Sequence, residues 1–439
     1  MDAPLWTALQ QHNAAGRVSM HMPAHKGAAD CLAVLSSVLP FDLTELPDTG
    51  SLYDGEGATA LAEDAAARLF GTVAARLSAG GSTLCIQAML RLALPAGGKL
   101  LCGRVLHRSA ANAMALLDIK PVWLLPDGSA GDAFPGRIRA EELRRLATLH
   151  PDAKAVYLTS PDYFGVMQDI PALAEAAAEF GLPLLADSAH GAHLHFMEED
   201  CSAAAQGAAL AAESAHKTLP VLTGGAWLQI GRAEYVPFAR EAMALFGSTS
   251  PSYLTLLSLD LCRAWLEDAG KDALLALVPQ VQKIRDILTE RGFALPQGTC
   301  DPLRIAFAAE NAAALGEILR ENGIEPEYAV QDKIILIPSC ANSSADFARL
   351  ETAVRRLPSP KYAVCAASQT LPQAALTPRR ALDRPRERLP LAACEGRIAA
   401  LPVCPCPPAI PLAMPGEVLD SAALRNAENY GIRCLEVVK

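Results

Sequence analysis

Short apolar runs alternate with amphipathic stretches along most of this chain. Residues 99–103 (Lys-Leu-Leu-Cys-Gly), 121–125 (Pro-Val-Trp-Leu-Leu), 155–159 (Ala-Val-Tyr-Leu-Thr), 182–186 (Leu-Pro-Leu-Leu-Ala) and 222–230 are of strand length and nearly free of charge. Such runs suit strands of a parallel sheet, buried on both faces. Helically spaced segments separate them, which is the βαβ pattern of a mostly parallel sheet. Residues 4–15 predict an amphipathic helix, with Leu5, Trp6 and Leu9 apolar, Pro4 at its start and Gly16 after it. Helices are also predicted over 60–70 and 86–94, and from about residue 260 through 291. Beyond these, strands over 303–308 and 334–338 alternate with helices over 311–322 and 345–357, a second and smaller α/β layer. Residues 366–390 are rich in Pro and Arg, with Arg379, Arg380, Arg384, Arg386 and Arg388 close together, and read as a solvated linker, with an intersubunit contact as the second reading.

Composition narrows the class. The chain has 439 residues, 51% apolar and 20% charged, enough for several domains with a large core. A net charge of −10 argues against a general nucleic-acid binder. The opening Met-Asp-Ala-Pro-Leu-Trp lacks the features of a signal peptide, and no apolar stretch is long enough to span a bilayer, so the cytoplasm is the expected location. The 12 cysteines then read as reduced thiols. Cys404-Pro-Cys406 is the only close pair and lacks the second pair that a structural zinc would need, so no metal is expected.

The richest stretch chemically runs from Leu182 to Lys217. Its apolar opening stops at Asp187-Ser-Ala-His190-Gly-Ala-His193, and about thirty residues on stands Ser214-Ala-His216-Lys217-Thr218. An acid at the carboxyl end of a parallel strand lies where open α/β sheets bind ligands. A strand-end aspartate and a later lysine are what pyridoxal phosphate requires. The lysine carries the cofactor as a Schiff base, and the carboxylate keeps the pyridine nitrogen protonated so that the ring accepts electrons. On residue types alone a plainer reading stands beside this one: Asp187 caps a turn and Lys217 is a solvated surface lysine. Similarly, Gly81-Ser82-Thr83 ahead of a helix is either an ordinary cap or an anion site. Met20-His-Met-Pro-Ala-His25-Lys26-Gly27 reads as a polar turn, and 247–253 as a Ser/Thr turn capping the helix that follows.

Asp187-Ser-Ala-His190-Gly-Ala-His193 followed by Ser214-Ala-His216-Lys217-Thr218-Leu219 resembles the ornithine/lysine/arginine decarboxylase family of fold-type-I pyridoxal-phosphate enzymes. The tail, with Glu395-Gly396-Arg397-Ile398-Ala399-Ala400, Pro407-Pro408-Ala409-Ile410-Pro411 and Pro415-Gly416-Glu417, resembles the family's carboxyl-terminal blocks, which simple aminotransferases lack. Thr159-Ser-Pro-Asp162-Tyr-Phe-Gly165 also resembles a family turn. The chain departs from the family at Ala24, Asp162, Ser188 and Ala409, and Asp162 is given no role.

The resemblance implies an α/β fold: an aspartate-aminotransferase-like large domain with a mostly parallel sheet, a smaller α/β domain and a carboxyl-terminal extension. The implied division is 1–45 for an amino-terminal helix and active-site segment, 46–265 for the cofactor-binding domain, 266–362 for the small domain and 363–439 for linker and carboxyl-terminal region. It looks like the family's shorter form, without an amino-terminal wing. Lys217 would hold pyridoxal phosphate, Asp187 its ring nitrogen, and Gly81, Ser82, Thr83, Ser214 and His190 would complete the cofactor's surroundings. His107 would stack on the ring, and His216 or another acid would return a proton to the substrate's α-carbon. Thr249 would reach across a dimer interface to a neighbouring phosphate, making a homodimer or higher homo-oligomer with composite sites. His25, Lys26 and Glu395 are the candidate substrate residues, with a carboxylate (Glu395 or one from the acidic loop 42–56) pairing with the distal cation of a basic amino acid. Decarboxylation to an amine is the expected reaction. Aminotransfer or elimination, for which Arg304 would supply a carboxylate fork, and a non-catalytic relative are the alternatives.

Overall fold

Seven strands make the main sheet: β1 (Ala74–Ser78), β2 (Gly98–Gly103), β3 (Ile119–Leu124), β4 (Ala153–Thr159), β5 (Leu184–Asp187), β6 (Leu210–Glu213) and β7 (Ala226–Ile230), in the order β1-β7-β6-β5-β4-β2-β3. The pairs β2–β3, β2–β4 and β4–β5 are parallel, while β7 is antiparallel to both β1 and β6. The computed structural model from which this is read describes residues 2–127, 133–360, 371–405 and 410–439. Cys406, Pro407, Pro408 and Ala409 of the tail, and 366–370 of the Pro/Arg-rich stretch, lie outside the described residues.

The α/β class and the mostly parallel sheet expected from the apolar runs are present. Two strands escape that pattern. β1 reads Ala-Ala-Arg-Leu-Ser and β6 Leu-Ala-Ala-Glu, yet every residue of both is buried. Alanine carries little strand preference, so only the packing of these segments makes them strands. The helices α1 (Pro4–Ala14), α2 (Gly57–Phe70), α3 (Gly81–Ala93) and α4 (Arg108–Leu116) follow local signals. Proline opens α1, and Gly71 closes α2 in the left-handed region at φ +64°. No helix among the described residues is long and apolar enough to cross a membrane.

The chain divides into two compact units. The first, Met1–Leu92 with Ser188–Leu275, contains α1, α2, β1, β6 and β7. Phe70 of α2 packs on Trp227 of β7 and on Phe196, with ring centroids 4.9 and 5.8 Å apart. The buried carboxyl of Glu63 accepts from the Leu77 N–H and lies 2.5 Å from Arg240 and 3.4 Å from Arg76. Burial raises it to about 7 against the pull of the two guanidiniums.

The second unit, Ala93–Asp187 with Ala276–Lys439, contains β2 to β5 and two smaller sheets. One is antiparallel, β8 (Ile305–Ala308), β9 (Tyr328–Val330) and β10 (Lys333–Leu336), in the order β8-β10-β9. The other pairs β11 (Arg386–Pro390) with β12 (Cys434–Val438). Here the structure corrects the linker reading over residues 377–390. Thr377 caps a helix over Pro378–Leu382, and β11 then pairs residue for residue with β12. Arg386 and Arg388 alternate along a half-exposed strand; Arg386 lies 3.8 Å from Glu436, and the strand's own Glu387 accepts from Arg397 at 2.7 Å. A charged edge strand is an ordinary way to use such residues.

One buried ion pair ties the carboxyl-terminal blocks to the end of β2. Arg104 donates to Glu417 at 3.0 Å and to the Leu412 carbonyl at 3.3 Å, and its guanidinium lies 4.6 Å from the Trp123 ring centre. Glu417 also accepts from the Met414 N–H at 2.7 Å. Burial pulls the two groups toward neutrality, Arg104 downward and Glu417 upward, and each opposes this in the other. Removing one partner strands a buried charge, which costs about 3–5 kcal/mol. Glu417→Ala is therefore expected to lower the stability of the chain by that amount in urea unfolding. A loss below about 1 kcal/mol would show the pair to be solvated.

Candidate active site

Lys217 sits in the short turn that follows β6. Strand β6 ends at Glu213, Ser214 is buried, and a single helical turn spans Ala215–Thr218. The Lys217 Nζ lies 3.3 Å from Nε2 of His190, a member of the loop that follows β5. Ser214 Oγ donates to Ser82 Oγ at 2.7 Å, so the lysine turn is fastened to the start of α3. That start is open. Gly81 has φ +69°, its N–H donates to the Gly224 carbonyl at 2.7 Å, and no atom lies within 4 Å of where a Cβ would stand. The first-turn N–H groups of a helix lack intrahelical acceptors and favour an anion. Ser82 is buried and Thr83 exposed. His216 donates from Nδ1 to the Gly225 carbonyl at 3.0 Å, and burial lowers its pKa, so its imidazole is neutral with Nε2 as the acceptor. Thr218 Oγ1 is buried with no hydrogen-bond partner among the described residues.

Behind this turn lies a buried polar network that residue types alone did not reveal. His195 Nε2 is 2.8 Å from Glu213 Oε1, and Gln229 Nε2 donates to Glu213 Oε2 at 3.0 Å. Thr72 Oγ1 completes the chain by donating to Gln229 Oε1 at 3.1 Å. Burial alone would lower the His195 pKa, but Glu213 and Asp200 outweigh it and raise it to about 9. His195 is thus an imidazolium at neutral pH, paired with Glu213 one residue before Ser214. The alternate-residue spacing of His193 and His195 was the available signal.

Asp187 closes β5 in the second unit and is buried. The hydroxyl of Tyr157, on the neighbouring β4, donates to its Oδ2 at 3.0 Å. Thr159, paired with Asp187 in the register of β4 and β5, has a buried Oγ1 with no hydrogen-bond partner among the described residues. His107 is the N-cap of α4: its Nδ1 accepts from the Ser109 N–H at 3.2 Å and lies 2.8 Å from Ser109 Oγ. This holds the imidazole in one orientation. Asp162 acquires a structural role, since its Oδ1 accepts the N–H groups of Phe164 and Val166, both at 2.9 Å. Burial raises its carboxyl to about 7, with those N–H groups and Arg304 pulling the other way.

The remaining candidates are less concentrated. His25 uses both ring nitrogens nearby, Nδ1 on the Gly27 N–H at 3.0 Å and Nε2 beside Asp42 at 3.2 Å. Lys26 is exposed and donates to the His21 carbonyl. Thr249 is exposed in the turn before the helix Tyr253–Trp265, where Ser252 serves as the cap. Glu395 is exposed in a tail turn, whereas Glu417 is the buried acid of that region. Arg304 is buried with its Nε 3.8 Å from Asp301, and its stem fills the space beside Gly165.

The donor set suits pyridoxal phosphate. A lysine amine, an open helix start with two serine hydroxyls, and a buried hydroxyl lacking a partner are groups that a phosphate-bearing aldehyde would engage. The comparisons agree with this chemistry. A model for the major domain of Orn/Lys/Arg decarboxylases matches residues 3–299, and one for their C-terminal domain matches 361–430. An uncharacterised protein of Bacillus subtilis is 28% identical over 449 residues, covering 97% of this chain and 94% of that protein. An arginine decarboxylase of the same organism is 29% identical over 448 residues, covering 95% and 91%. Lysine decarboxylase A from Pseudomonas aeruginosa shares the fold at a TM-score of 0.85 and 20% identity, covering 100% of this chain and 80% of that one. A more distant solved structure with pyridoxal phosphate has the same fold at a TM-score of 0.55. The family and fold are those of pyridoxal-phosphate-dependent enzymes.

An unpartnered buried hydroxyl is a cost of about 1–3 kcal/mol that a methyl group would remove. Thr218→Val is therefore expected to be at least as stable as the wild type without cofactor, and to bind pyridoxal phosphate about 10-fold more weakly, the equivalent of one hydrogen bond. Thermal unfolding with and without the cofactor reads both. A variant less stable in the cofactor-free state would mean that the hydroxyl has a protein partner.

Proposed function

We propose that this chain, which belongs to the Orn/Lys/Arg decarboxylase family, removes the α-carboxylate of a basic amino acid as CO₂ and releases the amine. Arginine is the first candidate substrate, because an arginine decarboxylase matches along nearly the whole chain. The observation that carries the reading is the lysine turn. Lys217 stands beside His190 and next to a serine pair that opens α3, which is the equipment for holding pyridoxal phosphate by its aldehyde and its phosphate.

Pyridoxal phosphate, when bound, supplies the sink for the electron pair left on the α-carbon as CO₂ departs. The roles of the chain follow from its own groups. Lys217 would hold the cofactor by its aldehyde carbon through its amine. Gly81, Ser82, Thr83 and Ser214 hold the phosphate, and Asp187 keeps the ring nitrogen protonated. His107, fixed as a helix cap, offers an imidazole face to the ring. The proton for the α-carbon comes from the Lys217–His190 pair in preference to His216, because its lowered pKa leaves that imidazole neutral and its one N–H is held by the Gly225 carbonyl. Arg304, turned toward Asp301 inside the second unit, is poorly suited as a carboxylate fork, which weighs against aminotransfer.

A second copy of the chain completes the enzyme in this reading. Support comes from the amino-terminal segment, where Met20 is 88% and Val34 93% exposed, apolar side chains that a lone chain leaves in water. The exposed Thr249 and Glu395 are then free to serve a neighbour's site.

The decisive experiment offers arginine, lysine and ornithine to the purified protein and measures CO₂ and amine. Amine and CO₂ in equal amounts are expected from one of the three. A keto acid in place of CO₂ would turn the assignment to aminotransfer. The protein should be yellow, borohydride should lock the colour onto Lys217, and Lys217→Ala should lose both colour and activity. A colourless, inactive protein that takes up no pyridoxal phosphate would mark a non-catalytic relative. In light scattering the protein is expected at twice the mass of one chain or more, and a monomer at micromolar concentration would end the composite-site reading.

A further inference from the structure

We propose that Tyr157 is a positioning residue for catalysis: its phenol holds the Asp187 carboxylate in the orientation and charge state that the cofactor's ring nitrogen needs. This rests on the reading that Asp187 pairs with that nitrogen, and it adds a residue with no counterpart among the groups assigned above.

Three observations carry it. Tyr157 O–H donates to Asp187 Oδ2 at 3.0 Å, and the two side chains are 0% and 1% exposed. Tyr157 pairs with Leu185 in the register of the parallel strands, two positions before the Thr159–Asp187 pair. Side chains two apart on a strand share a face, so the phenol reaches diagonally to the carboxylate within one sheet surface. The rest of the middle of β4 is apolar: Ala155, Val156 and Leu158 are all fully buried. A phenylalanine would fill the same volume. The hydroxyl is what differs, and a buried tyrosine hydroxyl needs a partner; here the partner is Asp187.

The consequence is chemical. An O–H that donates to a carboxylate stabilises its ionised form and makes it a weaker proton acceptor. An aspartate held this way leaves the proton on the ring nitrogen. Burial first, and then the Asp187 charge, push the Tyr157 pKa well above its ordinary value, so the phenol stays a donor throughout the working range of the enzyme. Without the hydroxyl, Asp187 loses one donor that fixes its orientation toward the ring nitrogen, and the ring becomes a poorer sink while substrate binding is untouched.

The test compares wild type, Tyr157→Phe and Asp187→Asn, each loaded with pyridoxal phosphate. Tyr157→Phe is expected to bind the cofactor in full stoichiometry, to shift the pH titration of its visible band, and to lose kcat about 10-fold with KM nearly constant, in the range of losses on removing a partner of a liganding group. With a cofactor analogue that has carbon in place of the ring nitrogen, wild type and Tyr157→Phe should perform alike, because the group that the phenol serves is gone. A second probe needs no isosteric variant. Fluorotyrosine incorporated throughout the wild-type chain keeps the shape, strengthens the donor, and should move the band titration in the opposite direction. If wild type loads normally and Asp187→Asn is impaired, but Tyr157→Phe and fluorotyrosine leave band and kcat unchanged, the role of Tyr157 is overturned alone. If wild type takes up no cofactor, the pyridoxal-phosphate reading fails and this inference falls with it.

Discussion

A charge enters a dry protein interior only with a partner of opposite sign, and the placement of matched charges governs how this chain holds its chemistry. His195 pairs with Glu213, Arg104 pairs with Glu417, Asp301 and Asp162 share Arg304, and Glu63 lies between Arg76 and Arg240. Each group also stands next to a residue of the proposed chemistry or supports the element that carries it. Glu213 precedes Ser214, Arg104 lies three residues before His107, and Asp162 folds the turn after Thr159. A buried pair adds little net stability over an apolar core. It does fix orientation, because neither partner can turn away without leaving a charge unpaired, and a liganding group needs that property.

The same logic explains which parts of the molecule were legible in the sequence. Apolar runs with Leu, Val and Trp announced β2, β3 and β4, since burial on both faces demands them. β1 and β6 did not announce themselves, because alanine satisfies burial equally well in a helix. β11 was read as linker because its arginines resemble a solvated run until the pairing with β12, which sets Glu436 beside Arg386, is seen. Local chemistry carried further than strand periodicity. The Asp187, Lys217 and Gly81 segments were recognisable from their order of residue types. Lys217 does fall beside His190, and Ser214 beside Ser82. Tyr157 stayed hidden for a definite reason: a tyrosine in an apolar strand is normally core, and only the direction of its hydroxyl separates the two uses. Asp162, a departure from the family pattern, is a buried cap, so substitution at that position changed the turn's chemistry without emptying it.

Two shortfalls in the single chain point outward, and they differ in kind. Thr218 and Thr159 bury hydroxyls that find no acceptor or donor among the described residues, although folding normally satisfies such atoms. A small polar molecule remedies this, and an apolar one does not. Met20, Met22, Val18 and Val34 leave large apolar side chains in water within one short segment of the first unit. No small polar molecule remedies that, whereas a protein surface does. The two shortfalls therefore differ in what would satisfy them, hydrogen-bonding groups in one case and apolar surface in the other. Thr218 belongs to the lysine turn of the first unit and Thr159 to the end of β4 in the second, and the apolar side chains lie in the stretch that also holds His25 and Lys26.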